Sequence, residues 1–396
     1  MRIALDARML ARADRRGIGK AVDRLYRSLA QVRPHWRVVA FYQPHDKASA
    51  EVDWPANVER VQAIDLPGDR FDAWLELRLP RAARAAGCDV LHCPANQAPG
   101  YVGLPFVATV HDLIPLDADP PPPKRVQRRY ARWVRRCCDR AAGVVAPSRF
   151  VRDALIERFG LDPDRAWHAP WPGPSPAPAD PAATLRVLER LRIDRPFALH
   201  FGAAEPRKNT ARVIDAWLAA HPLVRSHAKL VVVGLDPATR ATLRSKLEHA
   251  GQADSARLLG YEPDETAHAL LSAADVLAFP SLDEGFGLPV LEAHAAGAAV
   301  LTSERGSLPE VAGEAAMYAD PLDPASLARG LTALLLDAPL RERLAAAGRA
   351  QAARHAADAA VGVYAQAFER AAGMSITTTG ATPPRPRVRP VETHAA

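Results

Sequence analysis

The segment Glu284-Gly285-Phe286-Gly287-Leu288-Pro289-Val290-Leu291-Glu292 places two carboxylates eight positions apart, around a glycine-rich turn and a proline. Pro289 suits the first residue of a helix, where its missing N–H costs nothing and its φ is already helical. The glycines before it let the backbone approach a ligand closely. Because the N–H groups and the dipole of a helix start bind phosphate, we expect an anion here. Carboxylates beside a phosphate suit sugar hydroxyls or a developing cation, so the segment predicts a nucleotide-sugar site.

A second candidate phosphate contact is the basic pair within Glu205-Pro206-Arg207-Lys208-Asn209. The pair follows a strand predicted over 198–201, and ligands of open α/β sheets bind outside the carboxyl ends of the strands. Fixed cations there would stabilise the charge that a diphosphate leaving group gains as its bond to the sugar breaks. Taken alone, the same pattern more often marks a basic helix start on a solvated surface.

Two more motifs follow predicted strands in the first half of the chain. Gly17-Ile18-Gly19 precedes a helical pattern and could offer N–H groups to the same diphosphate, although a simple tight turn would look alike. His111 directly follows the strand predicted over 106–110 and could contact the transferred sugar. With Asp112 it could instead form a structural hydrogen-bonded pair.

The order of these motifs resembles that of the family 4 retaining glycosyltransferases, which have the GT-B fold. The resemblance covers most of the chain, and six short motifs in the right order are far more specific than one. Besides the segments already quoted, the residues that carry it are Asp6-Ala7-Arg8, His111-Asp112-Leu113-Ile114-Pro115, Ala146-Pro147-Ser148, Leu308-Pro309-Glu310-Val311 and Tyr318-Ala319-Asp320-Pro321.

The resemblance implies a role for each candidate residue. His111, Lys208 and Glu284 are the expected catalytic residues, with Glu284 on the sugar side. Glu292 is expected to bind ribose hydroxyls, although the same residue could be an ordinary solvent-facing helix glutamate. Further donor contacts are expected from Gly17, Gly19, Arg207, Lys208, Gly285, Phe286, Gly287 and Leu288. One departure is Ala203, where many relatives carry a polar or basic side chain after the glycine of this strand end, so one phosphate contact is missing or supplied elsewhere.

The implied reaction transfers a hexose, with retention, from a nucleotide-diphosphate sugar to a hydroxyl of a glycan or lipid-linked glycan in cell-surface polysaccharide biosynthesis. Front-face attack is expected, in which the departing phosphate accepts the acceptor's proton. GDP-mannose is the favoured donor, on resemblance to bacterial polysaccharide mannosyltransferases. The alternatives are another GT-B enzyme, such as a nucleotide-sugar epimerase or a disaccharide synthase, and a non-catalytic nucleotide-sugar-binding scaffold.

We expect neither a cofactor nor a metal ion. Asp117-Ala118-Asp119 is a DxD triplet, the metal-binding signature of the other major glycosyltransferase fold. It falls in a predicted loop that runs into four prolines, well after His111, and we interpret it as loop chemistry. Lys208 and helix N-termini can take over the role of a divalent cation at the diphosphate.

The expected fold class is α/β, with two doubly wound Rossmann-like domains facing each other across a cleft. A length of 396 residues favours two domains, and apolar runs alternate with helical patterns. The predicted strands are 2–5, 38–42, 90–92, 106–110 and 143–146, then 198–201, 229–233, 276–278 and 299–302. The predicted boundaries are an acceptor-side domain over 1–168, a proline-rich linker over 169–181, a nucleotide-sugar-binding domain over 182–355, a helix crossing back to the first domain over 356–372, and a disordered tail over 373–396.

The net charge of +6 comes from one stretch, because residues 124–140 carry eight basic side chains against one acidic. Apolar residues recur there at helical spacing, so we expect a helix whose arginines face either water or an anionic membrane surface. Nucleic acid is not an expected partner, since no recognition fold accompanies the patch. Without a signal-peptide pattern, a disulfide framework or a spanning apolar run, we expect a cytoplasmic location, with peripheral binding to the inner face of the plasma membrane as an option.

Overall fold

The protein is described by a computed structural model covering residues 1–10, 17–43, 54–62, 73–100, 103–173, 180–355 and 357–373. The middle of the predicted linker, residues 174–179, lies outside these ranges. The predicted tail beyond residue 373 also lies outside the described residues.

The first half of the chain forms a parallel sheet with the strand order β3-β2-β1-β4-β5-β6-β7 among the described residues. Helices pack on both of its faces, as a doubly wound fold requires. The strands are β1 (Arg2–Asp6), β2 (Arg37–Tyr42), β3 (Val58–Gln62), β4 (Val90–Cys93), β5 (Phe106–Thr109), β6 (Gly143–Ala146) and β7 (Ala166–His168). The helices are α1 (Gly17–Val32), α2 (Leu79–Ala85, after a π-helical turn at Trp74–Arg78), α3 (Ile114–Asp117), α4 (Lys124–Arg140) and α5 (Arg149–Phe159).

The second half repeats this architecture with the parallel order β10-β9-β8-β11-β12-β13. Its strands are β8 (Phe197–Phe201), β9 (Lys229–Val233), β10 (Ala256–Leu258), β11 (Val276–Phe279), β12 (Ala299–Thr302) and β13 (Ala316–Tyr318). Its helices are α6 (Pro181–Leu191), α7 (Thr210–Ala219), α8 (Pro222–His227), α9 (Pro237–His249), α10 (Asp264–Ala273), α11 (Leu288–Ala296), α12 (Leu308–Ala312), α13 (Pro324–Leu336) and α14 (Ala338–Ala353). The predicted α/β class with two doubly wound sheets is confirmed.

Each interior strand is buried on both faces. In β1, Ala4 belongs to one hydrophobic cluster, whereas Ile3 and Leu5 belong to the cluster on the opposite face. This two-sided burial explains why such strands read as continuous apolar runs.

The last described helix, α15 (Ala357–Ala372), packs on the first sheet rather than the second. Val361, Tyr364 and Phe368 are buried in the same cluster as residues of α1 and β1. The hydroxyls of Tyr364 and Thr109 lie 3.0 Å apart. The chain therefore ends its described course on the half in which it began. Within the described residues, no helix combines the length and apolar character needed to cross a membrane.

Candidate active site

A cleft of about 620 Å³ opens between the carboxyl ends of the two sheets. Both halves of the molecule line it, and it brings together every residue that the sequence nominated. These are Gly17, Gly19, His111, Arg207, Lys208, Glu284, Gly285, Phe286, Gly287, Leu288 and Glu292. Their functional roles remain predictions, but their proximity is a property of the fold.

The glycine-rich turn presents main-chain amides to this cleft. Helix α11 begins at Leu288, so Pro289 is its second residue and not, as predicted, its first. Gly287 precedes the helix with a φ of 100°, a conformation that favours glycine. Within the described part of the chain, residues 285–288 donate no main-chain hydrogen bond, although all four are buried. Because residues 285–288 line the cleft, main-chain N–H groups there without a protein acceptor fit an anion site.

The basic pair lines the same cleft and is bound to Glu284, the residue directly before this turn. Lys208 Nζ donates to Glu284 Oε1 at 2.7 Å, and Arg207 Nη1 donates to the same oxygen at 3.0 Å. Burial lowers the pKa of Lys208, and the neighbouring Glu284 carboxylate opposes that shift. The Lys208 ammonium also lies 4.6 Å from the centroid of the Phe279 ring. Two cations converge on a single carboxylate oxygen, an arrangement that a phosphate oxygen could also satisfy.

Asn209 fixes the turn that carries these cations. It follows the 3-10 turn Pro206–Lys208 with a φ of 61°. Its buried side-chain amide donates to the carbonyls of Pro280 and Pro321 at 3.0 and 2.6 Å. The left-handed conformation and the two bonds hold the basic pair at the carboxyl edge of the sheet.

His111 lines the other wall of the cleft. Its Nε2 bonds the carbonyl of Pro94, and its ring stands edge-on to Trp171 with centroids 4.9 Å apart. Burial lowers the pKa of His111 to about 4, so the ring is neutral at physiological pH. Because Nε2 must carry the proton to donate to a carbonyl, Nδ1 is left as an acceptor. Nδ1 is buried and has no hydrogen-bond partner among the described residues.

Glu292 pairs across the cleft with a residue that the sequence did not nominate. Arg24 Nη2, on α1, donates to Glu292 Oε1 at 2.8 Å, and both side chains are largely buried. One turn earlier on α1, Lys20 lies 2.9 Å from Asp264. These residues also line a smaller adjoining cavity of about 370 Å³. Glu292 is therefore not an ordinary solvent-facing glutamate. In the sequence, the i, i+4 spacing of Lys20 and Arg24 on α1 was the signal that could have identified Arg24 as a cleft residue.

Two more cleft residues were missed as candidates. Asp112 lines the cleft, and its main-chain carbonyl accepts a hydrogen bond from the Tyr130 hydroxyl at 2.8 Å. Burial raises the pKa of its carboxyl group. Trp171, in the predicted linker, lines the same wall and lies 5.7 Å from the Phe286 ring. In the sequence, Asp112 could have been nominated from its position beside His111, and Trp171 from being an aromatic residue among prolines.

The DxD triplet is partly helical. Asp117 ends α3, so the prediction that the whole triplet lies in a loop is wrong by one residue. Both oxygens of Asp117 accept from Arg158, at 2.6 and 2.9 Å. No cluster of His, Cys, Asp or Glu side chains within the described ranges could hold a metal ion.

Comparison with known proteins supports the resemblance. A family model described as Glycosyltransferase Family 4 matches residues 15–172, and one described as Glycosyl transferases group 1 matches residues 185–351. The O-antigen chain mannosyltransferase B of Escherichia coli is 33% identical over 248 residues, or 62% of this chain and 65% of that protein. A D-inositol 3-phosphate glycosyltransferase of Xylanimonas cellulosilytica is 32% identical over 343 residues, or 79% of this chain and 80% of that protein.

The fold agrees with solved structures. Anabaena HepE, in complex with UDP and glucose, superposes with a TM-score of 0.73 at 18% identity, covering 93% of this chain and 99% of that one. Two doubly wound sheets facing each other across such a cleft define a GT-B protein. The chain belongs to glycosyltransferase family 4. It spans 65% of the E. coli mannosyltransferase and 63% of a related D-inositol 3-phosphate glycosyltransferase from Acidothermus cellulolyticus.

Proposed function

We propose that the protein transfers mannose from GDP-mannose, with retention of configuration, to a hydroxyl of a glycan or lipid-linked glycan during cell-surface polysaccharide synthesis. The observation that carries the proposal is that two cations line the same cleft as a turn whose main-chain N–H groups have no acceptor among the described residues. Lys208 and Arg207 converge on one carboxylate oxygen of Glu284, the residue directly before the turn at residues 285–288. The resemblance to an O-antigen chain mannosyltransferase supports the choice of sugar.

Donor binding would exchange one anion for another. The diphosphate would take over from Glu284 at Lys208 and Arg207, and it would accept hydrogen bonds from the amides of residues 285–288. Glu284 would then be free to bind a sugar hydroxyl or to balance positive charge at the anomeric carbon. Glu292 would exchange Arg24 for the ribose hydroxyls. The charged side chains already pair with one another, Lys208 with Glu284 and Arg24 with Glu292, so these side chains are held in place before the donor arrives.

The transfer step would break the bond between the anomeric carbon and the diphosphate oxygen, on the same face as the new bond forms. The acceptor oxygen bonds to the anomeric carbon, and its proton passes to the departing phosphate. Lys208 and Arg207 would stabilise the charge that develops on that phosphate. His111 is neutral and offers Nδ1 as an acceptor, so its proposed role is to orient a sugar hydroxyl.

Nucleotide release tests this proposal. We expect GDP to be released from GDP-mannose faster when a mannose-terminated oligosaccharide is added, and we expect EDTA to leave the rate unchanged because lysine and arginine replace a metal. UDP-glucose is the matched competing donor, since Anabaena HepE was crystallised with UDP-glucose. Release from UDP-glucose alone would overturn the choice of donor. Complete loss with EDTA would overturn the metal-free mechanism, and absence of release from every sugar nucleotide would contradict transfer.

We also propose that α4 binds an anionic membrane surface, which would place the enzyme at the inner face of the plasma membrane. Tyr130 and Val134 bury one side of α4 against the first sheet. Its exposed side carries basic residues that make no hydrogen bond or ion pair within the described residues: Lys124, Arg125, Arg128 and Arg132. Their spacing places them along the solvent-facing side of the helix.

Vesicle binding tests the membrane proposal. Reversing both Arg128 and Arg132 to glutamate should weaken binding to phosphatidylglycerol vesicles by more than about tenfold, since each basic residue contributes about 1 kcal/mol. Arg343→Glu reverses an exposed charge on α14 of the other half and serves as the control. Equal cosedimentation of the double variant and the control would contradict the proposal.

A further inference from the structure

The first turn of α5 is capped by a carboxylate from the other half of the molecule. Glu310, on α12, accepts from the main-chain N–H of Arg149 at 2.8 Å and from that of Phe150 at 3.4 Å. His168 Nε2, at the end of β7, lies 3.1 Å from the same carboxylate. A helix leaves its first N–H groups without intrahelical partners, and an anion there interacts favourably with the helix dipole. This cap exists only while the two halves are together.

Ser148 adds a second bond at the same joint. Its hydroxyl donates to the carbonyl of Gly285 at 2.7 Å and accepts from the N–H of Val151 at 3.2 Å. Ser148 is fully buried. Because one hydroxyl serves both partners, the cap of α5 and the position of Gly285 depend on each other.

Helix α12 also holds Glu284, the residue directly before Gly285. Ser307, at the start of α12, donates its hydroxyl and its N–H to the carbonyl of Glu284 at 2.8 and 3.1 Å. Gly306 packs so closely on this carbonyl that a Cβ would lie 2.6 Å from the oxygen. One short helix therefore fixes Glu284 at its first turn and reaches the other half of the molecule through Glu310.

The electrostatics favour an ionised Glu310. Burial disfavours the charged form, but the nearby His168 ring and the hydrogen bond from the Arg149 N–H lower the pKa of Glu310 overall. A neutral side chain at this position would lose the attraction to the helix dipole. An alanine would also leave the two N–H groups without an acceptor.

We propose that Glu310 is a positioning residue that holds the two halves of the cleft closed around Glu284 and Gly285. Opening the cleft would release the caps of Arg149 and Phe150 to water and free the Gly285 carbonyl. The closed arrangement brings His111 against the loop that carries Glu284, because Gly285 packs directly on the main chain of His111. The catalytic part of this inference rests on the proposed transfer reaction, whereas the structural part does not.

Amide hydrogen exchange tests the structural part. In Glu310→Ala, the amides of Arg149 and Phe150 should exchange about tenfold faster, as expected for the loss of a charged cap. Glu314→Ala removes an exposed carboxylate four residues away that has no partner within the described residues, and it should leave this exchange unchanged. Equal protection of the two amides in both variants would overturn the cap.

Kinetics test the catalytic part. We expect Glu310→Ala to lower kcat about tenfold, while the Kd for GDP, measured by calorimetry, changes less than about threefold. The closed cleft is needed for the transition state of transfer, whereas GDP binding does not depend on it to the same extent. Glu310→Gln keeps an acceptor oxygen and should recover part of the rate. An unchanged kcat in Glu310→Ala would overturn the positioning role. If the wild-type enzyme releases no nucleotide but the exchange result holds, the transfer proposal fails and the closure contact stands.

Discussion

Replacing Lys208 with alanine should remove most of the affinity for the nucleoside diphosphate and most of the transfer activity. Lys208 Nζ donates to Glu284 at 2.7 Å in a largely buried position, and the proposed donor phosphate takes over that contact. A charge-assisted hydrogen bond contributes about 1.5–3 kcal/mol, so the Kd for GDP should rise about 10- to 150-fold. The loss in kcat/KM should be larger, because the cation also stabilises the charge on the leaving group. Isothermal calorimetry and initial rates measure the two effects.

The control for this change is Lys246→Ala. Lys246 is a half-exposed lysine on α9 that pairs with Asp215, away from the cleft. Its removal should leave the GDP affinity unchanged. If Lys208→Ala binds GDP as tightly as Lys246→Ala does, the assignment of the phosphate site is wrong.

Replacing Gly285 with alanine should prevent the two halves from closing. A Cβ at this position would overlap the carbonyl oxygen of His111 and would lie 2.7 Å from Asp112 Cβ. The clash is with main chain rather than with a flexible side chain, so it can only be relieved by separating the halves. Misplacement of catalytic groups by about 1 Å can cost about 100-fold in rate, and we expect a loss of at least that size. Each half keeps its own core, so the variant should still fold.

Two measurements on Gly285→Ala separate closure from folding. Initial rates report the catalytic loss, and small-angle X-ray scattering should show a larger radius of gyration than that of the wild type. Gly362→Ala is the matched control, because a Cβ at this α15 position meets nothing within 4 Å. Wild-type rates and scattering in Gly285→Ala would contradict the close approach of the two halves.

The interior of both sheets was predictable from the sequence, whereas their edges were not. All nine predicted strands exist, with ends within one residue of the prediction. The four missed strands, β3, β7, β10 and β13, are the outermost strands of the two sheets. Three of them have three residues each and are incompletely buried. An interior strand needs apolar side chains on both faces, but an edge strand can be short and partly polar, so its sequence carries little signal.

The candidate site residues were predictable from the sequence where they lie together in one continuous segment. The turn at residues 285–288 and the basic pair at Arg207 and Lys208 are each contiguous in the sequence. The partners that cross the cleft are not, because Arg24 and Glu292 are separated by 268 positions. The unpaired Nδ1 of His111 was equally hidden, since the tautomer follows from the Pro94 carbonyl. Sequence patterns locate such residues, but only packing shows which atoms pair.

The most direct test of the account is a crystal structure of the enzyme with GDP. It should place the diphosphate between Lys208 Nζ and the amides of residues 285–288, with the ribose hydroxyls on Glu292. The Lys208–Glu284 and Arg24–Glu292 ion pairs, now 2.7 and 2.8 Å long, should be broken. GDP bound anywhere else, or bound in the cleft with both ion pairs intact, would contradict the assignment of the donor site.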